Sequence, residues 1–97
     1  MKIPDGVYQN KDTEIMHFVV NNSKGVIIST MFGEMAAMYK FSIAGDIITM
    51  TVLEGNSVGG VMRDRVSVST SPPPTKFHLQ ADDATFVYIS PLPDNMS

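Results

Sequence analysis

The sequence predicts an all-β protein: an antiparallel up-and-down meander of about eight short strands, closing into a small barrel or flattened barrel. Three observations carry this expectation. Apolar residues alternate with polar ones through most of the chain, as they do along strands with one buried face. Turn-forming clusters of Gly, Asn, Asp, Ser and Pro punctuate it at short intervals. Residues 39–53 also fix their own register. With Gly45-Asp46 as a two-residue turn, Ala44 opposes Ile47, Ile43 opposes Ile48, Phe41 opposes Met50 and Tyr39 opposes Val52. Lys40, Ser42, Thr49 and Thr51 then share the other face, whereas a one-residue slip would mix the two sets. Gly-Asp suits a primed hairpin turn, which needs positive φ at its first position.

The elements follow in order. After a Pro4-Asp5-Gly6 turn, residues 6–10 form a short entry strand, and residues 11–14 a polar connection. Residues 15–20 alternate, with Met16, Phe18 and Val20 on one side. Residues 21–25 are a turn cluster, and setting Val20 opposite Val26 and Phe18 opposite Ile28 continues the apolar face into the next strand. Residues 31–38 break the alternation. Met31, Met35 and Met38 recur at helical spacing, which predicts a single helical turn or a collapsed loop. The central hairpin follows, then a Gly-rich loop at 55–60 and a strand at 61–69. Residues 70–75, with three consecutive prolines, cannot sit inside a sheet because proline lacks the N–H donor. Two last strands place Phe86 and Tyr88 opposite Leu79 and Phe77, across a turn at 81–84, and residues 91–97 form a fraying tail.

The succession Gly6-x-Tyr8, a strand carrying Phe18, a Lys24-Gly25 turn, and then Tyr39-x-Phe41-x-Ile43-x-Gly45-Asp46-x-Ile48-Thr49-Met50 resembles the small lipocalin-like (calycin-type) domains of bacteria. The resemblance covers about half of the chain. The chain departs from true lipocalins in lacking Gly-x-Trp, a closing Arg near the end and a C-terminal helix. What the resemblance implies is an up-and-down barrel that binds something, without naming a ligand.

At 97 residues the chain supports one domain and one core. Hydrophobic residues make up 43% and charged residues 18%, a globular rather than a disordered balance. A net charge of −3, from seven basic and ten acidic residues, offers no broad basic surface, so nucleic acid is not an expected partner. No apolar run approaches the roughly 18 residues of a membrane span. With neither a cysteine nor an N-terminal apolar run, the sequence reads as cytoplasmic, an exported protein whose leader has been removed being the alternative.

Six residues stand out as candidates for binding a ligand or partner. Asp64 falls on the same strand face as Met62, Val66 and Val68, which is the core side. A buried carboxylate needs a partner or ligand, unless a bulge or a later strand start turns it outward. Arg63 and Arg65 share the opposite face and could grip an anion or anchor an interface, or else pair with a neighbouring acid. Met31, Met35 and Met38 could form an adaptable apolar surface, or plug one end of the core. His17 and His78 are the only histidines, so no metal set and no cofactor is expected. The first expectation is a non-enzymatic binding module of inhibitor or immunity type, facing a protein partner or a second copy. The alternatives are a lipocalin-like small-molecule binder and a hydrolase using a histidine.

Overall fold

The computed structural model describes residues 3–94. Eight antiparallel strands follow one another around a closed barrel. They are β1 (Gly6–Asn10), β2 (Met16–Asn21), β3 (Lys24–Met31), β4 (Glu34–Ala44), β5 (Ile47–Glu54), β6 (Val61–Ser69), β7 (Lys76–Leu79) and β8 (Ala84–Ser90). Each strand pairs with its neighbours in sequence, and β1 pairs with β8 to close the ring. Closure leaves neither an outermost strand nor a long exposed edge.

The central hairpin has the register its alternation dictates. Ala44 pairs with Ile47, Ile43 with Ile48, Phe41 with Met50 and Tyr39 with Val52. Gly45 takes φ 63 at the first turn position, as a primed turn requires. The other two hairpins in the first half depart from expectation. Asn22 and Ser23, at φ 57 and 63, form the β2–β3 turn, so Val20 pairs with Gly25 and Phe18 with Ile27. Ile27 is therefore the buried residue of β3, and Val26 and Ile28 face outward. Gly25 lies within the strand rather than the turn. A Cβ there would collide with the Val19 carbonyl oxygen, so no other residue fits without moving the backbone.

Residues 31–38 form no helical turn. Phe32 and Gly33, both at positive φ (54 and 80), make a two-residue turn, and β4 starts at once at Glu34. The helical spacing of the methionines has a β explanation. Ser29 pairs with Ala37 but Thr30 pairs with Met35, so Ala36 is an extra residue in β4. This bulge restores Met35 and Met38, three positions apart, to the same outward face. At the far end of the chain, Phe77 pairs with Phe86 and Leu79 with Ala84, two positions from the expected register. The turn runs over Gln80–Asp83, where the Asp83 N–H donates to the Gln80 carbonyl at 3.2 Å.

The interior is filled by side chains. Phe18 meets Phe41, Phe77 and Phe86 edge-on at 5.3, 5.0 and 4.6 Å between ring centres, and Phe77 stacks on Phe86 at 5.2 Å. Tyr8, fully buried, meets Phe77 and Tyr88 edge-on and donates its hydroxyl to the Pro4 carbonyl at 2.7 Å. Burial pushes the Tyr8 phenol up from 10.0 to about 12, with nearby Tyr88 and Asp5 adding to the effect. Ile3 is buried in the same cluster, so the segment before β1 adds a core residue that alternation did not reveal. No helix long and apolar enough to cross a membrane occurs among the described residues. Of the expected tail, residues 95–97 lie outside the described residues.

Candidate functional site

The most exposed large apolar side chain belongs to Phe32, at the tip of the β3–β4 hairpin, 98% accessible. Met31 and Met35 flank it, at 57% and 48%. The register decides how the three are arranged. Met31 pairs with Glu34 on the ribbon face continuous with Ile27, while Met35 pairs with Thr30 on the outward face. The hairpin thus carries one methionine on each face, beside Glu34 and Thr30, and a phenyl ring at its end, a wedge with an apolar tip. Phe32 is also unfavourable for its own backbone. A left-handed conformation costs a non-glycine residue about 1–2 kcal/mol, and bulky side chains rarely adopt it. The β2–β3 turn uses Asn22 and Ser23 for the same geometry, polar residues that water solvates. At 98% accessible, the residue gains almost no burial from the barrel in return for its strained turn.

The six sequence candidates do not converge on one place. Met31 and Met35 belong to the wedge. Met38 sits further down β4, opposite Ile28, and is half-buried. Arg63, Asp64 and Arg65 lie on β6, separated from β4 by β5. Asp64 pairs with the buried Ile48 and keeps inward parity, at a level of β6 that β7 does not reach. There its carboxylate accepts the Ala81 N–H at 3.0 and 3.1 Å and the Arg65 N–H at 2.7 Å. It therefore ties the β7–β8 turn over the end of the short strand. Arg65 faces outward and pairs with Asp46 at 2.7 Å, beside the β4–β5 turn at the opposite end of β4 from Phe32. Arg63 faces outward opposite Thr49.

The loop at 55–60 is fastened rather than loose. Val52 donates to the Gly60 carbonyl at 3.0 Å and accepts from the Gly59 N–H at 2.9 Å. Gly55 lies against Ala36 and Ala37 of β4. The loop thus sits at the same end of the barrel as Phe32 and presents Val58 to solvent.

His78 shows the clearest polar geometry. Its Nδ1 meets the Thr85 hydroxyl at 2.9 Å, and its Nε2 meets the Asp83 carboxylate at 3.0 Å. The three groups form a carboxylate–imidazole–hydroxyl relay on the outer face of the sheet. Sequence reasoning passed over it because the register at 77–86 was shifted. His17 lies on β2, opposite Gln9 and Ile28. Among the described residues no group of three or more His, Asp or Glu side chains is placed to hold a metal.

Fold and site together define a small closed β-barrel with a filled interior and a projecting apolar hairpin. Comparisons with protein-family models, with curated proteins and with solved structures find no match.

Proposed function

We propose that this chain is a non-enzymatic protein-binding module of inhibitor or immunity type, which inserts the β3–β4 hairpin into a concave apolar site on a partner protein. The observation that carries the reading is Phe32, exposed and strained at once. Strained, sparsely populated backbone persists at sites where function uses it. Aromatic side chains that fill a partner's pocket are the usual anchors of binding energy. Burying a phenyl ring stabilises a complex by about 1.5–3 kcal/mol, and the flanking methionines adapt to an irregular pocket wall. Val58, at the same end, extends the apolar surface. The filled barrel interior also moves recognition to loops and outer faces.

The test compares the wild-type chain with Phe32→Asn in capture from an extract of the source organism, followed by titration of the captured protein. The expected result is a partner held by the wild type and released by the variant, with any enzymatic activity of that partner lowered on binding. Equal binding by both proteins would refute the wedge. Self-association lost in the variant would assign the same surface to a second copy.

Two other readings have specific support. The lipocalin-like relationship is favoured by the up-and-down closed barrel, but the stacked aromatics occupy the space a carrier would need. A hydrolase is favoured by the relay through His78. Its would-be nucleophile, Thr85, is a secondary hydroxyl in a paired strand. Hydrolysis of activated esters that disappears in His78→Gln would support it.

A further inference from the structure

A second site lies on the outer face of β6, β7 and β8, away from the hairpin. Register builds it from two adjacent rows of outward side chains. Ser67, His78 and Thr85 are cross-strand neighbours, and the Lys11 backbone N–H bonds to the Thr85 carbonyl at 2.9 Å, bringing the end of β1 alongside. Ser69, Lys76 and Val87 form the second row. Between the rows is a cleft of about 440 Å³, overhung by Pro74 from the proline loop. This volume lies within the range that holds a small ligand, about 300–1,000 Å³.

The chemistry of the lining is one-sided. The chain carries ten acidic residues, yet none lines this cleft, whose polar side chains are two ammonium groups, an imidazole and three hydroxyls. Acids stand outside it, Asp46 beside Ser67 and His78 on one flank and Asp12 and Glu14 beside Lys11 and Val87 on the other. Asp83 meets His78 Nε2 at 3.0 Å while 93% exposed, and Asp12 stands 3.7 Å from Lys11 Nζ with both side chains in water. Ser69 donates weakly to the Ser71 carbonyl at 3.3 Å. Lys76 makes no ion pair among the described residues. Two ammonium groups beside hydroxyls free to turn their protons inward, with no carboxylate among the lining side chains, suit an anion. The type of donor narrows the class. Carboxylates are best held by the planar fork of arginine, which is absent here, while point-charge lysines and separate hydroxyls can reach the three terminal oxygens of a phosphate from different directions. Pro74 and Val87 supply an apolar wall for an organic body.

We propose that this cleft is an anion site that takes the phosphate group of a small phosphate monoester. The site is independent of the hairpin and of its partner. The test is amide-resolved NMR titration with phenyl phosphate, inorganic phosphate and benzoate. Phenyl phosphate should shift Ser67, Lys76, His78 and Thr85 in a saturable way and bind more tightly than benzoate, which carries the same ring on a carboxylate. Lys76→Gln should weaken it about tenfold, a loss of about 1.4 kcal/mol. Ser67→Ala, a change on the outer face that spares the charge, should weaken it less. Lys40→Gln, on another strand, and Phe32→Asn should leave it unchanged. Shifts scattered over the surface, benzoate binding as well as phenyl phosphate, or an unchanged affinity in Lys76→Gln with its fold intact would each overturn the assignment.

Discussion

Replacing Phe32 with Asn should make the barrel more stable while removing its binding activity. The side chain is 98% exposed, so its loss forfeits almost no burial within the barrel, and the backbone term alone decides the sign. At φ 54 a phenylalanine bears most of the left-handed penalty of about 1–2 kcal/mol, which asparagine largely escapes. Asn22 already occupies φ 57 in the neighbouring turn of this protein. The expected gain is about 1 kcal/mol, which raises Tm by about 4–8 °C in a domain of this size. In urea, with a slope of about 1–3 kcal/mol/M, the midpoint should rise by about 0.3–1 M at an unchanged slope. Thermal and urea unfolding followed by circular dichroism measure both. A variant less stable than wild type would mean that the ring packs on the barrel, and the wedge would lose its physical basis.

Other consequences of the structure can be checked in the same unfolding assay. Gly25→Ala, which drives a Cβ into the Val19 carbonyl, should cost about 3 kcal/mol or more, whereas Gly45→Ala, with open space around it, should cost only the backbone penalty of about 1–2 kcal/mol. Comparable losses in the two would show that Gly25 has room. Because burial raises the Tyr8 phenol from 10.0 to about 12, the unfolded chain ionises first. Its contribution is complete below pH 10 and is lost as pH rises toward 12, by up to about 3 kcal/mol. Tyr8→Phe should remove that part of the alkaline loss, so parallel wild-type and variant curves above pH 10 would contradict it. Asp64→Ala frees the Ala81 and Arg65 amides and should cost about 1–2 kcal/mol, with faster hydrogen exchange confined to the β7–β8 turn.

The parts of the fold legible in the sequence are those where turn chemistry and alternation agree on one answer. Gly45-Asp46 sits between two clean period-two runs, and the whole β4–β5 ladder follows from it. The cluster at 21–25 offered four turn-forming residues, Asn21, Asn22, Ser23 and Gly25, for two turn positions. Asn22 and Ser23 took them, and Gly25 was needed elsewhere, against a carbonyl. That choice rests on a tertiary contact no local pattern contains. The methionine segment failed for a different reason. One inserted residue, Ala36, converts a strand's alternation into a three-residue step that mimics a helix. Gly33 was the one readable signal beside Phe32, since glycine suits the second position of a primed turn. Strand parity sets Asp64 on the core side unless a bulge or a later strand start turns it outward, and the β5–β6 register has neither. The amides that satisfy it come from residue 81 and from its own neighbour, and neither partner could be named from spacing alone.

Among the described residues, the seam between β1 and β8 is the only ladder joining strands that are not consecutive in sequence. During synthesis the first seven strands can zip up in order as they emerge, each onto its predecessor. They make an open, curling sheet whose two borders stay raw until Ala84–Ser90 leaves the ribosome. Deleting that stretch alone therefore leaves a sticky, unclosed ribbon. The last strand works as the clasp of the molecule.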